Sequence, residues 1–188
     1  MKPRGKGDFK STIMKNIYYL LLFFPVLLAA QDIETLSWKE ARLNSRIELD
    51  LSQQDFERRY KKADSTAVAD VGETCIDQDE ETVTLLFFKA AKFELHNGRL
   101  KFRGVDFTKK RSTYLEFEDD WFDHTTTLKS FRRTYPVASE FIIDDETDDG
   151  QLAEMITLLP AEPAEDFEWR FYFVNGRLHS IIRWEDCD

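Results

Sequence analysis

Any chemistry near neutral pH would have to start from three histidines, His96, His124 and His179. His124 follows Asp119, Asp120 and Asp123, so a carboxylate-assisted general base is one reading. The same residue precedes Thr125-Thr126-Thr127, which reads as a helix entry with the acids near its positive end. His96 flanks an Asn-Gly turn and His179 lies across from Tyr172, and both read as exposed sheet residues. The acidic run Asp144 to Gly150 suggests calcium: in EF-hand register Asp145, Thr147 and Asp149 take the first ligand positions. Position twelve is then Ile156, where a bidentate Glu is required, and the signature fails. No GxSxG elbow, P-loop, GxGxxG or HExxH is present. Nothing singles out a carboxylate pair for sugar hydrolysis. No catalytic residue, metal site or cofactor is expected.

Cys75 and Cys187 have no CxxC, HxH or neighbouring His to favour metal. In an exported chain an even count suggests a disulfide between them, with two unpaired thiols as the alternative. The remaining chemistry is surface recognition. On the last hairpin, Arg170, Tyr172, His179, Ile181 and Arg183 are expected to share a free sheet face, and Arg and aromatic residues are enriched at binding hot spots. They are equally readable as ordinary exposed strand residues.

The element that must carry them is FEWRFYFVNGRLHSIIRW, Phe167 to Trp184. Alternation puts Phe167, Trp169, Phe171 and Phe173 on one face, and Asn175-Gly176 supplies the two positive-φ residues of a type I′ turn. A two-residue loop sets Phe173 opposite Leu178, Phe171 opposite Ser180, Trp169 opposite Ile182 and Phe167 opposite Trp184. On the other face Glu168 should meet Arg183. A second hairpin, around Asn97-Gly98, places Phe93 opposite Phe102, Leu95 opposite Leu100 and Glu94 opposite Lys101. Helices are expected from about Ser52 to Lys62, opened by Ser52 and Asp55, and from Thr125 to Tyr135, stopped by Pro136. Further strands are expected at 47–51, 82–88, 114–118, 141–143 and 152–159, with a polar, acidic segment over 64–81 that reads as a loop holding at most one weak strand.

At the start, Lys2, Arg4, Lys6, Lys10 and Lys15 precede an apolar run from Ile17 to Leu28 and the small pair Ala29-Ala30. That pattern is a secretory signal peptide over 1–30, cleaved near Ala30, and it is too short for a stable span. The protein is therefore expected to be secreted or periplasmic, with no transmembrane span after cleavage. The whole chain has 188 residues and a formal net charge of −10, and without the leader it comes to about −14. A field of that sign repels phosphate backbones, so nucleic acid is not an expected partner.

Two pairs of segments in the chain match. FELHNGRLKF (Phe93 to Phe102) lies over FYFVNGRLHS (Phe171 to Ser180), and FERRYKKAD (Phe56 to Asp64) lies over FRRTYPVAS (Phe131 to Ser139). The fold class expected is α+β, two tandem repeats, each a helix packed on one face of an antiparallel β-sheet. The first would span 47–111 and the second 112–188, after a lead-in over 31–46 anchored by Trp38. This helix-then-sheet order, with the terminal stretch Trp169 to Ile181, resembles the small α/β units of the SmpA/OmlA family of outer-membrane proteins. Two such units in tandem resemble the β-lactamase-inhibitor-protein-like (BLIP-like) fold. The leader lacks the lipid-accepting Cys of the outer-membrane family, and no inhibitor contact residue can be placed here. The function expected is an exported, non-enzymatic protein that binds another protein or envelope component through an exposed sheet face. The alternatives are a structural envelope component and a hydrolase of unrecognised type.

Overall fold

The computed structural model describes residues 33–60, 62–70 and 82–186. The expected leader over 1–30, Cys75 and Cys187 lie outside them. The expectation of two helix-on-sheet repeats is overturned: the described chain is mostly strand, arranged as one ten-stranded sheet and one four-stranded sheet. Only two α-helices occur among the described residues, α1 (Gln53–Tyr60) and α2 (Leu128–Thr134), with one 3-10 turn at Ala138–Glu140.

In chain order the strands are β1 (Thr35–Leu36), β2 (Arg42–Leu43), β3 (Ile47–Glu48), β4 (Asp50–Ser52), β5 (Ser65–Asp70), β6 (Thr82–Phe88), β7 (Ala91–His96) and β8 (Arg99–Asp106). They continue with β9 (Tyr114–Glu116), β10 (Trp121–Asp123), β11 (Ile143–Glu146), β12 (Leu152–Pro160), β13 (Glu168–Val174) and β14 (Arg177–Trp184). The large sheet runs β1-β12-β13-β14-β8-β7-β6-β5, with β11 on β12 and β4 on β8. The small sheet runs β10-β9-β2-β3.

The correction has a physical source in the seam between the hairpins. The last strand of each Asn-Gly hairpin pairs antiparallel with the other, Ile181 facing Val105 and Ile182 facing Gly104. Neither hairpin then keeps a sheet of its own. A Cβ on Gly104 would sit 3.0 Å from the Ile181 carbonyl oxygen, so glycine is what allows this close approach. The strand expected over 47–51 is divided, β3 joining the small sheet and β4 the large one. The segment expected as a loop with at most one weak strand contains β5, a full strand that pairs β6 from Ser65–Phe87 to Asp70–Thr82.

Both helices are short and are fixed by side chains at their starts. The Ser52 hydroxyl accepts from the Asp55 N–H at 3.0 Å. Thr127 and Ser130 form a reciprocal capping box on α2, which starts three residues later than the sequence suggests. The core lies between the large sheet and the layer made by the helices and small sheet. Trp169, Phe171, Phe93, Phe102, Phe56 and Phe131 are all at most 2% exposed there. Phe131 packs edge-on or tilted against Phe171 and Phe173, with ring centroids 4.8 and 5.3 Å away. Trp38 packs on Phe167 and Trp169. Its segment is held by Glu162, which accepts from Ser37 Oγ at 2.7 Å and from the Trp38 N–H at 2.9 Å. Burial opposes ionisation of that carboxyl, yet these donors hold its pKa below the usual value.

Candidate functional site at one end of the large sheet

The Asn-Gly turns form as expected, with Asn97 and Gly98 at φ 47° and 74° and Asn175 and Gly176 at 51° and 71°. The register holds next to each turn: Phe93 faces Phe102, Glu94 faces Lys101, and Phe173 faces Leu178. One step further it changes. Tyr172 faces Ser180, so His179 is an extra residue in β14, and Arg103 is the corresponding extra residue in β8. A bulge moves every side chain beyond it to the other side of the sheet.

That single residue relocates the expected recognition set. Phe171 meets Ile181 and Trp169 meets Arg183, where arithmetic from the turn puts Ser180 and Ile182. Ile181 is fully buried in the core. Arg183 is 1% exposed, its guanidinium lying over the Phe167 and Trp38 rings at 4.7 and 5.3 Å and paired with Glu185. Tyr172 is buried in a small cluster with Ala153 and Met155, its hydroxyl donating to Asp145 Oδ2 at 3.1 Å. Burial, then the Asp145 charge, push its pKa up to about 12. Arg170 is partly exposed and stacks 3.5 Å from the Trp184 ring centroid. The five residues therefore do not form one open face. Of the expected set, His179 lines two clefts with its side chain buried.

Of the acidic run weighed for calcium, Asp144–Glu146 belong to β11, and the turn from Thr147 to Gly150 makes a strap that reaches β7 and β14. Lys92 Nζ on β7 pairs with Asp148 Oδ2 at 2.9 Å, and His179 Nε2 lies 3.6 Å from Asp149 Oδ1. Asp149 also accepts from the Thr147 hydroxyl and, at 2.7 Å, from Gln151 Nε2. These two hydrogen bonds first, and His179 after them, hold the Asp149 carboxyl below its ordinary pKa. Among the described residues no group of three or more His, Cys, Asp or Glu is placed to hold a metal ion.

Two clefts adjoin at His179, which is 6% exposed and whose Nδ1 has no hydrogen-bond partner. The smaller, about 130 Å³, lies under the strap and is lined by Lys92, Asp106, Asp148, Asp149 and Ser180 among others. The larger, about 500 Å³, opens beyond the sheet end between Thr108, Arg111, His124, Gln151 and Arg177. Its geometry is set by backbone. Leu178 N–H donates to Thr126 O at 2.9 Å, Leu128 N–H to Gly176 O at 3.0 Å, and Phe107 N–H to His179 O at 2.9 Å. The turn at Gly176 is thereby tied to the entry of α2, which carries His124 into the same wall.

The acids near His124 in sequence work elsewhere. Asp123 accepts from Thr125 N–H at 2.7 Å, and Asp120 accepts the Tyr135 hydroxyl at 2.7 Å. No carboxylate reaches His124 within ion-pair distance among the described residues, so the structure does not assemble the general-base arrangement the spacing suggested. Sequence reasoning missed Lys92, Gln151, Arg111 and Arg177. No local pattern marks them, because the strap and the bulge that bring them together are tertiary features. Among the described residues no helix is long and apolar enough to cross a membrane. The chain matches no protein-family model, no curated protein and no solved structure, and none of these comparisons bears on the BLIP-like or SmpA/OmlA resemblance.

Proposed function

We propose that this is an exported, non-enzymatic binding protein that engages its partner, another protein or an envelope component, at the His179 end of the large sheet. One observation carries the reading: a histidine more than nine-tenths buried, with an unmatched ring nitrogen, sits where two clefts meet. Concave sites with a few convergent polar groups are where ligands bind.

A hydrolase is the second reading, and it has one feature in its favour. Ser180, His179 and Asp149 all line the smaller cleft. Nucleophilic activation requires the serine hydroxyl to be bonded to the imidazole. Ser180 Oγ and His179 Nδ1 both lack hydrogen-bond partners, so they do not bond each other, and Nε2 already faces Asp149 and Gln151. The binding reading accounts for these groups with less rearrangement.

The test is amide-detected NMR of the isotopically labelled protein screened against a library of small polar molecules. Binding is expected to shift resonances of Gln151, Arg177 and His179 together, and His179→Ala is expected to weaken any such ligand by tenfold or more. Hits confined to other surfaces, or equal affinity in the variant, would refute the site.

A further inference from the structure

The larger cleft has a charge that its surroundings do not. Its wall carries Arg111, Arg177, His124 and His179 beside Gln151 and Thr108, and no Asp or Glu is among its lining residues. The chain as a whole has a net charge of −10, with 36 acids among 188 residues. The basic residues of the smaller cleft are matched: Lys92 with Asp148, and Lys109 with Asp106. Arg111 and Arg177 pair with no carboxylate among the described residues. His124 Nδ1 and His179 Nδ1 are both buried and without hydrogen-bond partners.

We propose that this cleft binds an oxyanion, a phosphate or a carboxylate group, with Arg111 and Arg177 as the charged clamp and His124 and His179 as part of the wall around it. The inference rests on the binding reading above and names the chemistry of the group recognised. Arginine suits the role because its planar fork donates two parallel hydrogen bonds to one oxyanion. Two carboxylates lie close by: Asp106 already accepts from the Thr108 N–H and hydroxyl, and Asp149, on the strap side of His179, already accepts from Thr147 and Gln151. Asp149 therefore orients the imidazole more than it competes with a ligand. The global negative field repels long polyanions, whereas a small anion entering a local positive cleft feels mainly the nearest charges once salt screens the rest beyond ~8–10 Å. A cleft of about 500 Å³ is of ligand-pocket size.

The experiment is isothermal titration calorimetry of the full chain at low ionic strength with inorganic phosphate, pyrophosphate and succinate, so that phosphate and carboxylate sources are compared directly. Wild type is set beside Arg111→Gln/Arg177→Gln, His179→Gln and a charge-matched control, Arg132→Gln/Arg133→Gln, on the exposed side of α2. Saturable binding of at least one anion is expected, weakened thirtyfold or more in Arg111→Gln/Arg177→Gln, about tenfold in His179→Gln, and less than twofold in the control. Circular dichroism of each variant separates loss of binding from loss of fold. Equal affinity of Arg111→Gln/Arg177→Gln and wild type, equal loss in the control, or no heat from any of the three anions would overturn the proposal. If a neutral molecule still shifts Gln151 and His179 in the NMR screen, only the anionic chemistry fails and the binding site stands. If nothing shifts them, both readings fail.

Discussion

Replacing Arg183 by methionine should leave the protein as stable as it is now, or make it up to about 1 kcal/mol more stable, although the residue is 1% exposed. The guanidinium has one carboxylate partner, Glu185, and two of its nitrogens, Nε and Nη1, have no hydrogen-bond acceptor. Unmatched buried donors cost about 1–3 kcal/mol, and its stacking over Phe167 and Trp38 returns ~0.5–2 kcal/mol. Methionine fills similar volume against the same rings without either requirement. Removing only the acid should act in the opposite direction. Glu185→Gln leaves the arginine charge buried without its carboxylate, for which fully buried pairs lose about 3–5 kcal/mol. The Glu185 side chain is 19% exposed, so a loss of about 2–3 kcal/mol is expected. Urea denaturation followed by tryptophan fluorescence reads both: with a slope of ~2 kcal/mol/M, the Glu185→Gln midpoint should fall by ~1–1.5 M while that of Arg183→Met stays or rises. A fall in Arg183→Met as large as that in Glu185→Gln would show that the arginine is a net contributor and would refute the desolvation reasoning.

Two further outcomes follow from backbone and burial. Lys89 and Ala90 turn between β6 and β7 with φ of 52° and 68°, a left-handed pair without glycine. Ala90→Gly should therefore gain about 0.5–1 kcal/mol in the same urea assay, after the extra freedom glycine gives the unfolded chain. Glu94 is 4% exposed, and burial raises its pKa against the lowering effect of Arg103. A raised acid stabilises fully below its unfolded value, 4.5, and that contribution is lost as pH rises through the folded midpoint. Urea midpoints of the wild type should fall across that window relative to those of Glu94→Gln, and parallel pH profiles would count against the assignment.

What was legible in the chain was whatever a turn or an alternation determines locally. Asn97-Gly98 and Asn175-Gly176 specify type I′ turns, and the pairs nearest them, Leu95 with Leu100 and Phe173 with Leu178, follow. The aromatic alternation from Phe167 to Phe173 marks the core face correctly. Legibility stops at the bulges. No composition distinguishes His179 from an ordinary strand residue, yet its insertion turns Ile181 and Arg183 inward and dissolves the expected recognition face. The strand β5 reads only as a weak strand within a loop because Ser65 to Asp70 is an exposed edge with little apolar alternation to detect. The two-repeat architecture failed for a related reason: the matching segments are present in the chain, but how β8 and β14 join is a tertiary fact. Of the candidate site, the sequence offered His124, His179 and the acidic run as separate features. Their convergence with Lys92, 56 residues from Asp148, needed the fold.

The joint between β8 and β14 also bears on how the chain reaches its native state. Each Asn-Gly hairpin closes over two residues and forms on the microsecond scale, whereas Ile181 must find Val105 roughly 75 residues upstream. The parallel contact of Thr35 with Leu159 spans a still longer stretch. Such a high contact order places this joint late and makes the overall reaction slow. Until it closes, both hairpin systems present open hydrogen-bonding edges, so newly made chains pass through a window in which they stick to one another most readily.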